Sequence, residues 1–360
     1  MTEAVVGPVL IVGSGLLGAS IGLALRRAGV TTYLEDTDAE SVRIAVERGA
    51  GETGLAGDPR VVVVAVPPDV AGAVMADASR RFPSATITDV TSVKADPLAS
   101  AAALGADMGR VVGGHPLAGR EVSGPAGARA DLFDDRVWVV APLPGGDPER
   151  AADVTALART CGGVPVVMSA ADHDRAVAVT SHAPQVLSSL LAARLLEVDD
   201  EAVAVSGQGL RDMTRIADSD PVLWRAILAA NAERVADVLT ALAEDLQRVV
   251  ADLRERGSGR DGTSATLEVL ERGASGRQRI PGKHGTGATD FAVVSVLVAD
   301  EPGQVASVLV AMGELGVNLE DIRIEHVLGR PSGLIDISVR PGAVAVLEAG
   351  LRERGFDVRS

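Results

Sequence analysis

Two polar side chains follow short apolar runs in this chain, in patterns that suit proton transfer. Ser92 lies in Thr88-Asp-Val-Thr-Ser-Val-Lys94, and His115 lies in Val112-Gly-Gly-His-Pro-Leu-Ala-Gly-Arg-Glu121. Histidine has the ordinary pKa nearest neutrality, so it is the natural general base. If both runs are neighbouring parallel strands, Ser92 and His115 meet at the carboxyl edge of the sheet, where open α/β sheets bind ligands. Gly113 and Gly114 would then clear space around the imidazole. The plainer reading of either residue is an ordinary loop position. Further on, Arg211 and Arg215 stand four apart, on one face of a helix. A guanidinium can hold a carboxylate through two parallel hydrogen bonds; the alternative is surface pairing with Asp212, Asp218 or Asp220. His182, in Ser181-His-Ala-Pro-Gln185, either faces a cleft or is a satisfied buried histidine. No cluster of residues has metal-ligand spacing.

Such groups need an electron acceptor, and the amino-terminal segment offers a place for one. Val9 to Gly18 joins an apolar run to Gly13, Gly15 and Gly18, and Asp36 follows after a predicted helix (Leu16 to Ala28) and strand (Thr31 to Glu35). This order is the fingerprint of a dinucleotide site. Gly13 permits the tight turn, Gly15 lets backbone approach a pyrophosphate, and Gly18 lets the helix pack on the strand. The helix start at Leu16 presents unpaired N–H groups to phosphate. Asp36 is placed for a ribose and repels a 2′-phosphate, while Thr37 supplies no arginine, so NAD is expected over NADP.

The elements that position these residues follow from periodicity. Val61 to Val66 reads as a strand buried on both faces. Thr86–Asp89, Arg110–Gly114 and Val137–Ala141 read as further strands, making residues 1–168 a Rossmann-like doubly wound α/β domain. From 169 to 272 the strand signals vanish. Apolar positions Leu228, Val235, Leu239, Leu242, Leu246, Val249 and Leu253 predict one long amphipathic helix over Pro221–Arg256, either a subunit interface or part of an intrachain bundle. Residues 273–289 read as a linker rich in Gly, Arg and Ser. Residues 290–360 show the order βαββα(β).

Composition narrows the classes. The chain has 360 residues, 47% hydrophobic and 2% aromatic, with a formal net charge of −15. Two or three domains are expected. Scarce aromatics and negative charge oppose nucleic-acid or anionic-membrane partners. The single Cys161 fits a reducing compartment. With no basic leader and no apolar run near membrane-spanning length, a cytoplasmic protein is expected.

Taken together, GSGLLGAS at 13–20, DVTSVK at 89–94, GGHPLAGREVSG at 113–124, SHAPQ at 181–185 and RDMTRIADSDPVLW at 211–224 resemble the prephenate/arogenate dehydrogenase family over nearly the whole chain. The HPLAG and TRIA segments are specific; the glycine motif is not. The resemblance implies NAD-dependent oxidative decarboxylation of prephenate to 4-hydroxyphenylpyruvate in tyrosine synthesis. His115 would be the catalytic base and Ser92 would orient it. Arg215 would hold a substrate carboxylate, with Glu121 near the cleft mouth and His182 and Gln185 on the substrate side. Gln185 stands where the family often has a second histidine, which leaves prephenate and arogenate both open as substrates. The helical part would form a homodimer. The last segment resembles an ACT domain, with Asp300 and Asn318 placed to bind tyrosine as a feedback effector. Two other classes compete. A β-hydroxyacid dehydrogenase or imine reductase would want a lysine that residues 169–272 lack, and a non-catalytic NAD- and amino-acid-sensing regulator would need neither His115 nor Arg215.

Overall fold

Val61, Val62, Val63 and Val64 are all completely buried, which only a strand covered on both faces allows. They form one strand of the sheet that organises the amino-terminal part of the chain. The computed structural model describes residues 7–119, 123–257, 264–280, 291–326 and 332–359. It divides into two units, Met1–Leu242 and Ala243–Ser360.

The first unit begins with β1 (Val9–Val12), α1 (Leu16–Arg27), β2 (Thr32–Glu35), α2 (Ala39–Glu47), β3 (Val61–Val64), α3 (Pro68–Arg81), β4 (Thr86–Asp89) and α4 (Ala95–Ala103). It continues with β5 (Val111–Pro116), β6 (Val137–Pro142), α5 (Pro148–Thr160) and β7 (Val164–Val167). The strands order as β2-β1-β3-β4-β5-β6-β7. Alternation along the central strands sends Val9, Ile11, Val61 and Val63 to one core with Ala24 and Leu25 of α1. Leu10, Val62 and Val64 go to the other core with Ala71 and Met75 of α3. Helices on both faces make the expected doubly wound arrangement. One strand departs from it: β6 runs antiparallel to β5, pairing His115 with Val139. β5 itself is parallel to β4, and β4 and β1 are each parallel to β3, so His115 lies toward the same carboxyl edge as the glycine turn.

The chain then becomes helical: α6 (Ala170–Val177), a π-helical turn over Ala178–His182, α7 (Ala183–Arg194), α8 (Asp200–Ala204), α9 (Gln208–Thr214), α10 (Pro221–Ala230) and α11 (Ala232–Gly257). Ser181 and His182 close the π turn and Ala183 to Gln185 open α7, so this segment lies within a continuous helical run over Ala170–Glu197. By length and composition alone that run is apolar enough to cross a membrane. It carries the buried polar residues His173, Asp174 and His182, as a core helix does when its polar groups find partners. Conversely, the single helix expected over Pro221–Arg256 is broken at Asn231. There φ is −126° and ψ is 28°, and the side-chain amide reaches back to the Asp174 carbonyl oxygen at 2.8 Å.

In the second unit, α12 (Ser264–Gln278) extends through residues 273–278, where a linker was expected. Arg272 pairs with Asp245 and Glu268, and the Ser275 hydroxyl bonds the Glu271 carbonyl, so side-chain contacts sustain the turns despite Gly273 and Gly276. Then β8 (Ala292–Ala299), α13 (Gln304–Glu314), β9 (Asp321–His326), β10 (Ser332–Val339), α14 (Val344–Glu353) and β11 (Asp357–Arg359) form an antiparallel sheet ordered β11-β8-β10-β9. Val294, Val296, Ile335, Ile337 and Leu347 make its core. This is the βαββαβ order that the alternation predicts.

Candidate active site

The glycine turn fits a dinucleotide for reasons that differ at each glycine. Gly13 has φ +107°, and a Cβ there would lie 2.2 Å from the Ala65 carbonyl oxygen. A Cβ on Gly18 would lie 1.9 Å from the Gly13 oxygen, so only glycine lets α1 approach β1 this closely. Gly15 is different: a Cβ there would meet nothing within 4 Å, because the residue faces an open cavity of about 1090 Å³. Its hydrogen is thus not demanded by packing, and the space it leaves is of the kind a pyrophosphate fills. Leu16 opens α1 directly behind it. Asp36 lines the same cavity, and its carboxylate accepts from the Ser14 N–H at 2.5 Å and the Asp38 N–H at 2.9 Å. Those bonds tie two loops together and leave lone pairs for ribose hydroxyls. The buried Ser14 hydroxyl has no partner among the described residues.

Arg81, from the last turn of α3, also lines this cavity, although the residue directly after Asp36 is Thr37 and not an arginine. It is committed to Glu35 at 2.8 Å and to Asp77 at 3.5 Å. Its ion pair with Glu35, at the end of β2, holds it there.

Around His115 the structure adds residues that spacing did not single out. His115 Nδ1 lies 2.8 Å from His173 Nε2, and His173 Nδ1 lies 2.8 Å from Asp174 Oδ1. Asp174 also accepts the Lys94 and Ala95 backbone N–H groups, each at 2.8 Å, where α4 begins. Burial works against this carboxylate, but the His173 and backbone hydrogen bonds outweigh it and hold its pKa below the usual range. For His115, burial, then His173 and the Lys94 ammonium, push the pKa well below 6.5. The ring is therefore neutral at physiological pH, as a base must be. His173 and Asp174 carried a sequence signal: a His-Asp pair just after Ser169, which caps α6, in a chain with five histidines.

Beneath His115, Lys94 and Asp89 form an ion pair with no solvent exposure at either side chain. Lys94 Nζ also donates to the Gly114 carbonyl at 2.6 Å and to Thr91 Oγ1 at 3.1 Å. The other carboxylate oxygen of Asp89 accepts the Gly114 N–H at 3.2 Å. The peptide groups of Gly114, next to His115 in sequence, are thus held at both N–H and C=O. This corrects the expectation for the two glycines. A Cβ on Gly113 would meet Lys94 Cδ at 3.0 Å, and one on Gly114 would meet the Asp89 carbonyl at 2.6 Å. Gly113 clears space for the Lys94 stem and Gly114 for the backbone of β4, not for the imidazole.

The remaining candidates separate. Ser92 is half-buried in the turn after β4, and the ring of His115 bonds His173 instead. Glu121 lies outside the described residues. His182 is completely buried: its Nδ1 is 3.2 Å from Asn231 Nδ2, its ring meets Trp224 edge-on, and burial pulls its pKa down to about 4. Gln185 is buried one turn later, on α7. Arg211 lies in the last turn of α9, and Arg215, the residue that caps that helix, begins a tighter 3-10 turn over Arg215–Ala217. Both are exposed. In the second unit Asp300 is exposed just after β8, and exposed Asn318 donates to Glu320 at 3.2 Å. Among the described residues no group of three or more His, Cys, Asp or Glu is arranged to hold a metal ion.

Comparison with known proteins converges on one family. Residues 21–167 match the family described as "Prephenate dehydrogenase, nucleotide-binding domain", and residues 169–261 match "Prephenate dehydrogenase, dimerization domain". The sheet of the second unit lies beyond both. A Streptomyces niveus protein named "Probable prephenate dehydrogenase NovF" is 38% identical over 98% of this chain and 99% of its own length. A crystal structure of prephenate dehydrogenase from A. aeolicus, in complex with hydroxyphenyl propionate and NAD+, is 29% identical. It has a TM-score of 0.66 and covers 76% of this chain and 97% of that one. A structure of Synechocystis arogenate dehydrogenase is 25% identical, with a TM-score of 0.61, over 75% of this chain and 98% of that one.

Proposed function

The chain belongs to the prephenate dehydrogenase family, and we propose that it converts prephenate to 4-hydroxyphenylpyruvate by NAD-dependent oxidative decarboxylation. It is an NAD-dependent dehydrogenase. When bound, NAD accepts a hydride from the ring carbon that carries the hydroxyl. The cradle at Gly13, Gly15, Leu16, Gly18 and Asp36 holds the cofactor at the carboxyl edge of the sheet. The observation that carries the reading is a neutral imidazole, His115, toward that same edge.

His115 takes the hydroxyl proton as the hydride leaves. The ring carboxylate then departs as carbon dioxide, and its bonding electrons make the ring aromatic. The proton returns to the phenolic oxygen, so the step releases none. Ser92 steers the hydroxyl. Arg215 pairs with a substrate carboxylate, Glu121 stands at the cleft mouth, and His182 and Gln185 shape the substrate side. A neutral Gln185 and the likeness to an arogenate dehydrogenase also support an amino-acid side chain on the substrate.

Exposed Leu190, Leu196, Val205, Met213 and Val222 leave the helical part with an apolar surface that a second copy of the chain would cover, consistent with its match to a dimerisation domain. Sedimentation at the mass of one chain would remove the dimer. We divide the chain into a cofactor domain (1–168), a helical domain (169–272), a linker (273–289) and an ACT-like domain (290–360) that binds tyrosine near Asp300 and Asn318. The βαββαβ order supports that last assignment. A buried, unpaired Cys161 fits a reducing cytoplasm.

The test is NADH absorbance after mixing the protein and NAD with prephenate or arogenate, with and without tyrosine. NADH formed with equimolar carbon dioxide is expected, slowed by tyrosine. No NADH with either substrate overturns the enzyme, and a rate indifferent to tyrosine overturns the regulation.

A further inference from the structure

The hydrogen bonds beside His115 determine which of its ring nitrogens bears the proton. Asp174 accepts two backbone N–H groups, and its pKa is held low, so it is a carboxylate with only lone pairs to offer. His173 Nδ1, 2.8 Å from Asp174 Oδ1, must therefore be the N–H. As the base, His115 must keep one nitrogen bare for the substrate proton; its Nδ1 faces His173, so that nitrogen is Nε2, and the partner that Nδ1–H donates to is a bare His173 Nε2. That bare nitrogen lies 2.8 Å from His115 Nδ1, and two lone pairs cannot bond each other. His115 Nδ1 must carry its proton, and His115 Nε2 is left as a lone pair.

We propose that His173 and Asp174 are positioning residues that hold His115 in the Nδ1–H tautomer, making Nε2 the atom that accepts the substrate proton. The inference rests on the reading of His115 as the base. His173 is 1% exposed and Asp174 0%, so water does not compete for these bonds. When His115 becomes an imidazolium, the same chain sets a carboxylate one ring away from the new charge, as the third member of a hydrolase triad does. Other charged or titratable groups face the ring as well: Lys94 and His182 both disfavour its cation. Neither bonds its nitrogens, so neither selects the tautomer.

The experiment is nitrogen NMR on the full chain with labelled histidine, read together with kcat, the NAD dissociation constant and Tm. In the wild type, His115 should show a protonated Nδ1 and a bare Nε2. His173→Phe keeps a ring but removes the acceptor. It should give mixed His115 tautomers and lower kcat by about a hundredfold or more, since a wrong tautomer costs up to ~10⁴ in a triad. His173→Gln can accept from His115 through its oxygen and donate to Asp174 through its amide. It should recover kcat at least about tenfold over His173→Phe. A wild-type His115 bearing its proton on Nε2 overturns the proposal, and that readout needs only the wild-type chain. A folded His173→Phe with unchanged kcat overturns it too, as does a folded His173→Gln no better than His173→Phe. If the wild type makes no NADH, the functional reading fails on its own, and the nitrogen signals still report the tautomer.

Discussion

Replacing Lys94 by methionine tests how much the buried ion pair contributes. The substitution keeps the stem of the side chain, one atom shorter, and removes its charge. It strands the Asp89 carboxylate, completely buried, with the N–H groups of Thr91 and Gly114 and the Thr91 hydroxyl as its remaining partners. It also strips the Gly114 carbonyl of its 2.6 Å donor. Breaking a buried pair from one side costs about 3–5 kcal/mol, whereas replacing both partners by neutral groups is often close to neutral. Lys94→Met should therefore destabilise the first unit by about 3–5 kcal/mol, a large share of the roughly 5–15 kcal/mol that holds a domain. Lys94→Met/Asp89→Asn should recover about 1–3 kcal/mol of that loss, a coupling typical of residues in contact. Urea unfolding followed by tryptophan fluorescence reads the right unit, since Trp138 and Trp224 both lie within Met1–Leu242. A single variant as stable as the wild type would refute the reasoning. So would a double variant whose loss equals the sum of the two singles.

The glycine turn offers a contrast between binding and folding. Gly15→Ala should leave Tm unchanged or slightly raised, because its φ of −71° suits alanine, while NAD binding weakens. Gly18→Ala should cost at least about 1–3 kcal/mol, since a Cβ 1.9 Å from the Gly13 oxygen must push α1 off β1; calorimetry and NAD titration separate the two effects. The pH profile of kcat/KM should stay flat down through pH 6.5, because His115 remains neutral below its ordinary pKa, and should fall only in more acid solution. A fall centred at 6.5 or above would show a solvated base instead. Stability should drop over the same acid range, between about 6.5 and about 4, as the unfolded chain takes up protons that half-buried His115 and buried His182 refuse. Urea midpoints that do not change across that window would contradict the assigned burial.

Much of the sheet was legible from local signals. Gly13 needs positive φ, Gly18 needs closeness to its own preceding turn, and four consecutive valines fit only a doubly covered strand. These are constraints between residues near in sequence, so spacing alone reveals them. The βαββαβ order after residue 290 was readable for the same reason: alternation and helical periodicity switch cleanly there. The helical part was read less well. Asn231 carries no breaker signal, and its break appears only once its amide finds the Asp174 carbonyl, 57 residues away.

The amino-acid sequence by itself determined that a dinucleotide turn opens the chain, that an imidazole stands near one strand's end toward the matching sheet edge, and that motifs of one family run through the sheet and the helical part. Tertiary structure alone decided the state of that imidazole. Its partner His173 is 58 residues away, and Asp174 reaches its backbone donors at Lys94 and Ala95 across 80 and 79 residues. Such contacts depend on where α6 docks against the start of α4, which no local spacing encodes. The same docking excludes water, and exclusion of water is what makes the ring neutral and its tautomer single.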